Sequence, residues 1–94
     1  MKKVSLEVNI PVIVLRENSS FIAYSPALEL STAGKTLLQA KKRFSEAVDI
    51  FFEELVKNGT LDEALAELGW KKVKKEWTPP IIISNEMQTV SVSV

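Results

Sequence analysis

Four lysines fall within the eight residues Trp70-Lys71-Lys72-Val73-Lys74-Lys75-Glu76-Trp77, a local charge of +3 bracketed by two tryptophans. Basic groups interleaved with aromatic rings can follow a phosphate backbone while the rings stack on bases. Trp70, Lys71, Lys72, Lys74, Lys75 and Trp77 are therefore a candidate nucleic-acid surface. The same pattern also suits an edge strand, whose lysines discourage pairing with other chains while Val73 and the tryptophans pack beneath. Four lysines supply only a few phosphate contacts, too few alone for tight binding at physiological salt.

Carboxylates are the other chemically capable groups. The chain has no His and no Cys, which excludes imidazole bases, thiolate nucleophiles, disulfides and every metal site built on those ligands. A hydrolytic two-metal site would need several acids converging from strands and a helix. Glu7, Glu29 and Glu76, the acids of the strand-like segments, each sit beside polar neighbours. Solvated surface charge explains them better, so neither catalysis nor a cofactor or metal is expected. Between residues 35 and 54 the bases come first (Lys35, Lys41, Lys42, Arg43) and the acids follow (Glu46, Asp49, Glu53, Glu54). That order opposes a helix macrodipole, at about 0.3–1 kcal/mol for each mismatch. Two such helices set antiparallel across a twofold axis would match bases to acids, and a solvated face with chance charges accounts for the order equally well.

These groups must be positioned by one small domain, because 94 residues leave no room for two. Hydrophobic residues at 46% and charged residues at 26% are ordinary for a folded chain. Twelve basic and twelve acidic residues cancel, so no global field steers the chain onto nucleic acid or anionic lipid. Met1-Lys2-Lys3 imitates a signal-peptide head, but the alternation that follows is not a continuous apolar run, and no lipidation motif is visible. A cytoplasmic, membrane-free protein is expected.

Val4, Leu6, Val8 and Ile10 recur every second residue, the pattern of a half-buried strand. Pro11 marks an edge or bulge, and Val12 to Leu15 are apolar on both faces, as if covered twice. After a polar turn, Phe21–Ser25 reads as the returning strand, and Ala27–Thr32 as a short third one. Thr36 and Gln39 form a capping box opening a helix from Leu37 to Lys57. Its core stripe is Leu37, Ala40, Phe44, Ala47, Val48, Phe51 and Leu55, with Leu38, Phe52 and Val56 on one flank and Ile50 alone among charges. Asn58-Gly59 ends it. Thr60 and Glu63 repeat the capping box before a short helix, Leu61–Leu68, closed by Gly69. Trp70–Trp77 reads as one strand. The tail beyond Pro79-Pro80, with Val90, Val92 and Val94 alternating with Thr89, Ser91 and Ser93, is strand-like as well. It is expected to add to a sheet edge, its own or that of a second copy in a homodimer. The sum is an α+β fold in the order β-β-β-α-α-β: a small antiparallel sheet covered on one face by one long helix. Residues 1–78 form the domain, and residues 79–94 are a tail of the same domain or are exchanged between copies.

Phe21-Ile22-Ala23-Tyr24-Ser25-Pro26-Ala27-Leu28, followed by Gly34-Lys35-Thr36 and a helix carrying Gln39-Ala40 and Glu46-Ala47-Val48, resembles the HicB-like antitoxins. The likeness covers roughly residues 4 to 58. It implies a partial ribonuclease H-like sheet and helix without catalytic residues. Nothing after Gly69 resembles the DNA-binding domain of longer members. What the resemblance implies is a protein that binds and occludes a small, basic HicA-type ribonuclease toxin. Asp49, Glu53 and Glu54 are then candidate contacts for that basic partner. The alternatives are a nucleic-acid-binding module using the lysine-rich strand, and an orphan oligomeric domain without a toxin.

Overall fold

A computed structural model describes residues 7–94. Three antiparallel strands come first: β1 (Ile13–Glu17), β2 (Ser20–Ser25) and β3 (Leu30–Gly34), in that spatial order. Asn18 and Ser19 make a two-residue turn between β1 and β2, and Asn18 adopts φ 55, a left-handed conformation that Asn tolerates. Val14 faces Ala23 and Ala23 faces Thr32, so these three project on one side of the sheet.

Onto that side packs α1 (Leu37–Asn58). Its start follows the sequence closely. The Thr36 hydroxyl accepts from the Gln39 N–H at 3.0 Å. The return arm lands one residue early, Gln39 Oε1 accepting from the Lys35 N–H at 2.7 Å. Gly59, at φ 69, closes the helix in the left-handed conformation. Ala23, Ala40 and Phe44 form the buried junction of helix and sheet, flanked by Ile10, Val14, Phe21, Leu30 and Val48. Small residues bring the layers close: a Cβ added at Gly34 would lie 2.5 Å from the Ala40 backbone nitrogen. The Thr32 hydroxyl donates to the Ala40 carbonyl at 3.0 Å.

The second core lies under α2 (Leu61–Glu67), where Ala27, Leu28, Leu65 and Trp70 are buried. Phe52 meets Trp70 edge-on at 6.4 Å between ring centroids, and Phe51 meets Phe52 at 5.5 Å. The fold is α+β, an antiparallel three-stranded sheet with one long helix on one face, a short second helix and a separate two-stranded sheet. Among the described residues no helix is long and apolar enough to cross a membrane.

Several local expectations are corrected. Val4 and Leu6 lie outside the described residues. Residues 7–12 carry no strand, because β2 stops at Ser25 before Pro26 and offers no partner beyond Tyr24, which faces Ile13. Val8 and Ile10 nevertheless pack against the cores. Among the described residues the sheet is covered on one side; on the other, Leu15 is 52% exposed. The third strand starts at Leu30, and Pro26–Glu29 form a turn. Of the helix stripe, Ala40 and Phe44 are buried and Leu37 is exposed. The side chain of Thr60 makes no capping bond.

The segment 70–77 is not one strand. It is a hairpin of β4 (Lys71–Val73) and β5 (Glu76–Thr78) turning at Lys74-Lys75, both with positive φ (51 and 68). Residues 79–94 form no strand, and from Ile81 onward every side chain is exposed.

Candidate binding surfaces

The hairpin splits the lysines instead of aligning them. Lys72 faces Trp77 across the pair and projects on the same side, while Lys71 and Val73 project on the other. Asp62 of α2 takes both members of that cross-strand pair. Its Oδ1 accepts from Trp77 Nε1 at 3.1 Å, and its Oδ2 lies 3.4 Å from Lys72 Nζ. The Lys72 ammonium also stands 5.6 Å from the Trp77 ring centroid, a cation–π geometry. Trp70 is buried, 3% exposed, and its indole N–H donates to the Ala27 carbonyl at 2.7 Å. Its ring is therefore in the core and not on the surface, where base stacking would require it. Lys71, Lys74 and Lys75 are exposed. The Asp62 junction carries no short-range sequence signal, since α2 and the hairpin meet only after folding.

The acids of α1 are all exposed, but they do not share one face. At about 100° per residue Asp49 and Glu53 lie about 40° apart, and Glu54 lies about 100° from Glu53 on the other flank. Asp49, Glu53 and Glu54 are exposed, and the ion pair found among the described residues is Lys72–Asp62 instead. Of the bases, Arg43 is engaged at the sheet, its guanidinium donating to the Ala33 carbonyl at 2.9 Å. Glu7, Glu29 and Glu76 are exposed on three separate segments. Among the described residues no three acids gather where they could hold a metal ion.

A further concavity was not foreseen from the sequence. An open apolar groove of about 250 Å³ runs between the segment before β1 and the flank of α1, lined by Ile10, Val12, Phe44, Ser45, Val48 and Asp49. Val12 and Val48 are apolar in the sequence, but their incomplete burial shows only in the packed chain. Compared with protein-family models, with curated proteins and with solved structures, the chain finds no match.

Proposed function

We propose that this chain is a non-catalytic HicB-like antitoxin, or an antitoxin-derived protein, that acts in the cytoplasm as a homodimer and occludes a small, basic HicA-type ribonuclease. The observation that carries the reading is α1, along which Asp49, Glu53 and Glu54 are exposed and unpaired among the described residues. Exposed acids accelerate encounter with a cationic protein and help set its orientation. The sequence likeness over residues 4 to 58 is what supports a HicA-type partner.

The test is co-expression with the neighbouring reading frame, read as growth rescue and co-purification. The triple variant Asp49→Lys, Glu53→Lys, Glu54→Lys should fold normally and lose rescue, and binding by the native chain should weaken with salt. A second reading, binding to nucleic acid, draws on the exposed Lys71, Lys74 and Lys75. Replacing Lys71, Lys72, Lys74 and Lys75 with Ala separates the two. The antitoxin reading expects toxin inhibition to survive this change. A non-toxic neighbour, together with RNA or DNA binding lost in the four-lysine variant, would overturn it.

A further inference from the structure

The two outer edges of the three-stranded sheet are not equivalent. Because Glu17 and Ser20 flank a two-residue turn, they exchange hydrogen bonds, and so do Leu15 with Ile22 and Ile13 with Tyr24. Val14 and Arg16 therefore carry their N–H and C=O groups outward along β1. On β3 the same alternation turns Ala33 outward, and its carbonyl is already taken by the Arg43 guanidinium. Among the described residues, one edge has a side chain on its Ala33 carbonyl, and the other is open to a strand.

The open edge borders the apolar groove. Val12 and Val14 project toward α1, and the groove continues from Ile10 and Val12 to Phe44 and Val48. A strand added beside β1 would place every second side chain over this groove and the others toward solvent. The chain contains a segment with that alternation: Val90, Val92 and Val94, separated by Ser91 and Ser93, all exposed. The tail does not occupy its own groove. It leaves the body at Pro79-Pro80 beside Gly69, and none of its side chains from Ile81 onward is buried. The described chain accordingly measures 58 × 28 × 21 Å, with a radius of gyration of 16.1 Å where about 12 Å suits a compact domain of this length.

We infer that residues 89–94 of one copy add as a fourth strand to β1 of a second copy, seating Val90, Val92 and Val94 over Ile10, Val12, Phe44 and Val48. The exchange is reciprocal, so a closed twofold dimer buries both tails. This rests on the dimeric part of the reading above; Asp49 also lines the groove, so the exchanged tail borders one of the acids assigned there to the toxin.

The test uses the full chain, whose lack of cysteine makes introduced thiols unique. Light scattering at micromolar concentration should give a dimer for the native protein and a monomer for Val90→Asp with Val92→Asp. Those positions are exposed in the free chain, so the variant should fold with unchanged circular dichroism. Mixing a Val92→Cys copy with a Val12→Cys copy should give a disulfide-linked pair on mild oxidation, absent from either copy alone as a 92–12 link. A native monomer at 100 µM would overturn both the dimer and the exchange. A dimer that survives the double Asp change, or the absence of a 92–12 link between the mixed copies, would overturn the exchange alone.

Discussion

Trp70 and Ala27, 43 residues apart in sequence, are joined by an indole N–H to carbonyl hydrogen bond of 2.7 Å in the buried interior. The bond fixes the turn between β2 and β3 to the entry of the hairpin. It also satisfies a carbonyl that water does not reach.

Trp70→Phe should keep an aromatic ring against Phe52 but leave the Ala27 carbonyl unpaired, costing about 1–3 kcal/mol. Trp70→Ala should cost about 3–5 kcal/mol. Urea denaturation checks both, with a lowered midpoint and an unchanged slope.

Phe44→Ala should also cost about 3–5 kcal/mol, because Phe44 is only 5% exposed at the junction of helix and sheet. Phe51→Ala should cost less, since Phe51 is half-buried at the edge of the second core. Equal midpoint shifts for the two variants would contradict this order.

Gly34 and Gly59 should fail for different reasons. Gly34→Ala pushes a methyl against the Ala40 backbone, which cannot rotate away, and should cost about 1–3 kcal/mol. Gly59→Ala meets open space and should lose only about 1–2 kcal/mol from left-handed strain. Gly59→Asn should recover part of that loss, whereas no side chain should rescue position 34. Thermal melts of the three variants decide.

The turn at Lys74-Lys75 needs positive φ twice, which Asn-Gly supplies with less strain than two lysines. Lys74→Asn with Lys75→Gly should stabilise the protein by about 1 kcal/mol, raising Tm by roughly 4–8 °C. A Tm that stays or falls would show that the hairpin is uncoupled from the core.

Much of this architecture was legible because it is local. Thr36, Gln39 and Gly59 announce both ends of α1, and the alternation through Phe21–Ser25 announces β2. The hairpin was hidden because Lys-Lys is not a turn signal, and its left-handed residues are imposed by the pairing of Val73 with Glu76 across the turn. Strand β1 starts late because its partner ends at Ser25, a limit written elsewhere in the chain. For the same reason the hydrophobicity of Trp70 was visible while its burial was not. The acids of α1 were legible as exposed groups, but the groove that Asp49 lines needed the packing of Ile10 and Val12 beside Phe44.

Among the described residues the β4–β5 ribbon pairs its strands with each other alone, and it reaches the body chiefly through the side chain of Trp77 on Asp62 and the core. It can therefore open without breaking the three-stranded sheet. Its lysines, Lys71, Lys72, Lys74 and Lys75, then stand in a segment that trypsin can enter and cleave. Since the whole tail lies downstream, one such cut would detach Val90, Val92 and Val94 from the body that precedes it, making this ribbon a proteolytic release point.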